Sequence, residues 1–108
     1  MPIYNKLVRD HIPSIIESSG KSFEIRNLSK QEYMQEARKK LQEELNEYLE
    51  TSNDEEAVDE LADILELLYA LSKQHGSSPE KLEEARAIKA KSRGGFEEKI
   101  FLVSVEDE

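Results

Sequence analysis

The spacing of apolar positions divides the chain into four helical segments with short extended stretches outside them. Met34, Ala37, Leu41, Leu45 and Tyr48 form one stripe on a helix predicted from Ser29 to about Thr51. Ser29 followed by Glu32 makes a capping box at its start. A more apolar helix is predicted from Asn53 or Asp54 to Gly76, with Ala57, Val58, Leu61, Ile64, Leu65, Leu67, Leu68 and Leu71. Its apolar arc is too wide for one neighbour, which implies central packing or a subunit interface. The last helix takes Ser78 as N-cap and Pro79 at its first position, and turns Leu82, Ala85 and Ile88 inward. It should stop at Gly94 or Gly95. A short first helix runs from about Val8 to Ser19, starting near Ile12 if Pro13 takes its first turn, with Gly20 just past its end. Residues 22–26 alternate and read as extended. The apolar residues of 96–103 are expected to pack back on the body, anchored by Phe96, while Glu106, Asp107 and Glu108 fray. Short connections favour antiparallel neighbours. The predicted fold is all-α, a compact antiparallel helical bundle with short extended segments outside the helices, in one domain over residues 1–108.

Two carboxylate pairs interrupt this pattern. Glu44 and Glu47 on the second helix, and Glu60 and Asp63 on the third, are each spaced i,i+3 and so share a helix face. Only Thr51-Ser52-Asn53 separates the helices. Folding back there brings Glu47 level with Glu60 and Glu44 level with Asp63. Four facing acids repel strongly unless a hard divalent cation lies between them, and their oxygens suit Mg²⁺ or Mn²⁺. Glu44 falls at the edge of the apolar stripe, Glu47 just beyond it, and Glu43 and Glu50 on the side expected to face solvent. Glu60 projects into the apolar arc beside Ile64 and Leu67, where an ionised carboxylate needs a partner. The plainer alternative is a solvated face shared with Lys39 and Lys40. The symmetric register and the setting of Glu60 weigh against it.

Composition narrows the classes. The formal charge is −9, from 24 acids against 15 bases, which disfavours polyanionic partners such as nucleic-acid polymers and membrane surfaces. Cysteine is absent, so neither a disulfide framework nor thiolate-bound zinc is available. With no membrane-length apolar run and no signal-like start, the expected location is the cytoplasm.

The run Glu43-Glu44-Leu45-Asn46-Glu47, a twelve-residue spacer and Glu60-Leu61-Ala62-Asp63 resemble the signature of the all-α nucleoside triphosphate pyrophosphohydrolases. That superfamily includes the MazG proteins, dimeric dUTPases and phosphoribosyl-ATP pyrophosphohydrolase. Two flanking stretches, residues 4–13 and 89–96, are similar to segments of small MazG-like members. The resemblance implies magnesium held by Glu44, Glu47, Glu60 and Asp63. It also implies attack of water on the α-phosphorus, releasing a nucleoside monophosphate and pyrophosphate, and a homodimer or homotetramer. Glu43, Glu44 or Glu47 would accept the water's proton. Phosphoribosyl-ATP members usually carry a Tyr-His pair soon after the aspartate, whereas Asp63 here precedes Ile64-Leu65-Glu66-Leu67-Leu68. This shifts the expectation toward other nucleoside triphosphates, including non-canonical or deoxy ones.

Bases accompany the acids at both ends of the chain. Lys6 and Arg9 are i,i+3, and Lys89, Lys91 and Arg93 precede Gly94-Gly95, whose N–H groups suit a phosphate. These are the expected substrate-binding residues, whereas Lys21 and Lys99 read as ordinary surface. Asp10 is expected to tie the basic side chains or cap the first helix. His11 and His75 read as incidental. The rival of a different class is a non-catalytic helical oligomerisation module, and the accompanying bases argue against it.

Overall fold

A computed structural model describes residues 2–107, and within them the chain is all-α. Its helices are α1 (Ile12–Ser18), α2 (Lys30–Leu49), α3 (Asp54–Gln74) and α4 (Pro79–Arg93). Glu108, expected to fray, lies outside the described residues.

Local chemistry sets the helix ends. Ser29 Oγ accepts from the Glu32 N–H at 3.2 Å, and the Ser29 N–H donates back to Glu32 Oε1 at 3.2 Å. Arg26 donates to the same Glu32 carboxylate, which with the cap holds it below the usual range. Asn53 Oδ1 caps α3 through the Glu56 N–H at 2.9 Å, and Ser78 Oγ caps α4 through the Lys81 N–H at 3.1 Å. Gly20 and Gly76 take φ of 82° and 70° just past α1 and α3, a left-handed conformation that glycine adopts without a Cβ penalty.

The short connection turns α2 back on α3 as an antiparallel hairpin, and α3 also packs against α4. This gives α3 two helical neighbours, in keeping with its wide apolar arc. Among the described residues the fully buried apolar side chain is Ala37. Leu41, Ile64, Leu67 and Leu71 are half-buried along the hairpin.

Outside the hairpin the chain is open. Its radius of gyration is 18.6 Å, against about 13 Å for a compact domain of this length. Its accessible surface is 9919 Å², against about 6,100 Å² for a compact monomer of its mass. Val58, Leu61, Leu65 and Leu68 of α3 and Leu45 and Leu49 of α2 stay exposed. Each lies one position after a residue that faces across the hairpin, so helical rotation turns all six to one side of it.

Several expectations change here. Of the two starts expected for the first helix, Ile12 with Pro13 in the first turn is the one taken, rather than Val8. Its N-cap is His11, without a side-chain bond, and Asp10 joins none of the ion pairs among the described residues. Glu43 is half-buried rather than facing solvent, and Leu45 is largely exposed rather than within the buried stripe. The segment after α4 does not pack back: Phe96 is 97% exposed, and Phe101 and Val103 are also exposed. Gly94 ends α4 at φ 85° and Lys99 turns the chain again at φ 59°, and among the described residues no surface receives the segment.

Candidate metal centre

Three of the four paired acids come together across the hairpin. Carboxylate oxygens of Glu44, Glu47 and Glu60 all lie within 4.8 Å of one another. Glu44 stands on the buried line of α2 with only 8% of its surface exposed, while Glu47 is exposed and Glu60 half-buried. Lys40, one turn earlier, sets its Nζ 3.5 Å from Glu44 Oε1. Glu44 Oε2 and Glu60 Oε2 are buried without a hydrogen-bond partner. A buried, unpaired carboxylate oxygen is costly, and two of them together leave this site in need of a donor or a cation.

Crowding separates the carboxyls. Glu60 is pushed up to about 7, first by its hydrogen bond with Glu44, then by burial and by the charges of Glu44, Glu47 and Asp63. Glu47 is also raised, by its hydrogen bond with Glu44 and that neighbour's charge. Burial pushes Glu44 upward, but hydrogen bonds with Glu60 and Glu47 and the nearby Lys40 ammonium hold it below the ordinary range. Crowding of this kind favours a proton shared within the cluster at moderate pH. An all-oxygen donor set with unpaired buried oxygens fits Mg²⁺ or Mn²⁺.

Asp63 is not in this cluster. One turn beyond Glu60, its Oδ1 accepts from Arg9 Nη2 at 2.5 Å, in a pair that remains partly exposed. Beside it is an open cavity of about 360 Å³ whose walls include Lys6, Arg9, Lys40, Glu44, Asp63 and Glu66. Lys6 Nζ also stands 5.7 Å from the centroid of the Tyr4 ring. A roomier hollow of about 480 Å³ lies along Lys30, Met34 and Arg38 of α2, but no acid lines it.

The N-terminal bases thus join the acids within one chain, and the C-terminal bases do not. Lys89, Lys91, Arg93, Gly94 and Gly95 are exposed and form no wall of the acid-lined cavity. The Gly94 N–H donates to Ala90 O at 2.8 Å, so of the glycine pair only Gly95 keeps an N–H to offer a phosphate. Lys40, which the sequence placed only within the solvated-face alternative, is the added member of the site. Its signal was the i,i+4 step to Glu44.

Residues 12–89 match the family model described as phosphoribosyl-ATP pyrophosphohydrolase. The chain belongs to that family. The matched span runs from the start of α1 to near the end of α4 and contains Glu43, Glu44, Glu47, Glu60, Asp63 and Lys89. Lys6, Arg9, Lys91, Arg93, Gly94 and Gly95 lie outside it. No curated protein and no solved structure matches the chain. Membership in the phosphoribosyl-ATP pyrophosphohydrolase family makes this a helical fold of the MazG-like pyrophosphohydrolase type. Among the described residues no helix is long and apolar enough to cross a membrane.

Proposed function

We propose that this chain is a divalent-metal-dependent pyrophosphohydrolase that opens the anhydride between the α- and β-phosphates of a nucleotide. The observation that carries this reading is the convergence of Glu44, Glu47 and Glu60 with two buried oxygens left unpaired. The family match favours phosphoribosyl-ATP as substrate. A second reading, a non-canonical or deoxynucleoside triphosphate, is favoured by the apolar run Ile64-Leu65 after Asp63, where no histidine stands.

Glu44, Glu47, Glu60 and Asp63 would hold Mg²⁺, or Mn²⁺ in its place. When bound, such an ion polarises phosphoryl oxygens, lowers the pKa of a water and neutralises charge on the departing pyrophosphate. The protein's own groups do the rest. Glu47 is the exposed member of the cluster, open to the attacking water, which suits it to take that water's proton. Glu43 and Glu44 are the alternative acceptors, and both are more enclosed. Lys6 and Arg9 bind the β- and γ-phosphates from the cavity side. Water adds to the α-phosphorus, the α–β bond breaks, and a nucleoside monophosphate or its phosphoribosyl counterpart leaves with pyrophosphate.

A homodimer completes the reading. The six-residue leucine and valine face and the excess surface are what a second copy would cover. Lys89, Lys91, Arg93 and the Gly95 N–H would then serve the partner's phosphates. Residues 1–108 act as one domain in this scheme.

The test is pyrophosphate release in Mg²⁺ from phosphoribosyl-ATP and from a panel of canonical and modified triphosphates. Turnover on at least one substrate is expected, and Glu44→Ala with Glu47→Ala should lower it about 10²–10⁴-fold. No release from any substrate, or equal release by the double variant, refutes the reading.

A further inference from the structure

Of the four acids expected to converge, Asp63 stands apart, and it is the one held by a cation from another segment. Glu44, Glu47 and Glu60 gather within 4.8 Å while Asp63 Oδ1 accepts from Arg9. Arg9 precedes α1 in a non-helical stretch, and its side chain is 55% exposed. It can move without unpacking a helix. Arg9 lines the open cavity together with Lys6, so a polyphosphate entering there comes up beside it. An exposed carboxylate is a weak, water-screened partner, whereas phosphate oxygens offer the same fork a bidentate and more highly charged one.

We infer that Arg9 is a latch on Asp63: it keeps the fourth carboxylate out of the acid cluster until a substrate's phosphates draw the guanidinium away. This positioning role rests on the metal-dependent reading above. It gives the pairing a purpose, because an Asp63 released beside Glu60 would add to the crowding of carboxylates whose nearby cation is Lys40. Once the phosphates hold Arg9, Asp63 turns to the cation that Glu44, Glu47 and Glu60 share. Nucleotide and metal then strengthen each other's binding, and by linkage the gain is the same in either order.

Calorimetric titration of the full chain with Mn²⁺, without nucleotide, tests the latch apart from catalysis. Arg9→Ala should bind Mn²⁺ about fivefold more tightly than the native chain, because Asp63 no longer has to leave a solvent-screened ion pair to reach the cation. The gain should vanish when Asp63→Asn is added, so that the double variant matches Asp63→Asn alone. Lys6→Ala removes the same charge from the same cavity and should change affinity much less. Arg9→Gln repeats the test with a milder change. A non-hydrolysable α,β-methylene triphosphate, corrected for its own metal binding, should tighten Mn²⁺ binding in the native chain and do so much less in Arg9→Ala. The latch is overturned if Arg9→Ala binds Mn²⁺ no better than native, or if its gain survives Asp63→Asn or is equalled by Lys6→Ala. If no variant binds Mn²⁺ even with the analogue, the metal reading itself falls, an outcome distinct from loss of the latch alone.

Discussion

The two basic segments of this chain use the same residue types and end in opposite situations. Lys6 and Arg9, at one end, lie against the acid hairpin, tied by the Arg9–Asp63 pair and lining the cavity beside Glu44. Lys91 and Arg93, at the other, extend on the exposed end of α4, followed by an uncovered apolar segment. A basic side chain is placed by what its backbone packs on, and among the described helices α4 packs on α3 alone. The N-terminal bases therefore line the acid-bearing cavity within one chain, while the C-terminal bases would meet acids only if a second chain supplied them.

The sharpest way to break this comparison is to remove the second copy. Leu61→Asp with Leu65→Asp places charge on the exposed face of α3 and should turn a dimer into a 12.4 kDa monomer by light scattering. If the C-terminal bases act across the interface, pyrophosphate release should fall on the order of 10²-fold with dimer loss. A native chain that is already monomeric, or a monomeric variant with full activity, returns those bases to the surface.

A finer test mixes two defective chains. Arg93→Ala alone should raise KM and slow turnover, about tenfold in kcat/KM, because charge developing on pyrophosphate loses a fixed donor. Mixed with Glu44→Ala, Glu47→Ala chains, it should form heterodimers that each keep one intact site, restoring activity above that of either variant. Absence of recovery at equilibrium would show that Arg93 acts, if at all, on its own chain's acids.

The acid side can be sharpened through pH. Glu60 rises from the usual 4.5 to about 7, so between those values the folded chain holds a proton that the unfolded chain has lost. Stability then falls as pH rises through this window, and Glu47 acts in the same direction. Glu44, shifted downward, opposes them only as pH falls through its lowered value. In chelator the melting temperature should drop by a few degrees from pH 5 to pH 7.5, and added Mg²⁺ should reverse the drop. Metal affinity should rise about tenfold per pH unit below 7, since one proton must leave. A melting temperature that climbs with pH in chelator would show that the carboxylates are not crowded.

The smallest effect belongs to Lys99→Ala. Lys99 has a positive φ and lies beyond the basic cluster, so kinetics and oligomeric state should stay within error of native. A loss comparable to that of Arg93→Ala would mean that the segment after α4 contributes directly to a site.

Local signals alone determined the helices and the acid register. Ser29 with Glu32, Asn53, and Ser78 with Pro79 act within one turn of backbone, so their sequence spacing already states the hydrogen bonds that form. The convergence of Glu44, Glu47 and Glu60 was legible for a related reason: a short connection between two straight helices leaves one antiparallel register. Long-range placement was not legible. The capture of Asp63 by Arg9, 54 residues away, depends on how an irregular segment lies across the hairpin, which no periodicity encodes. The exposure of Phe96 could not be read either, because an apolar run states only that it needs a cover. Whether that cover lies in the same chain or another depends on where α4 points, and the tertiary structure alone decides that.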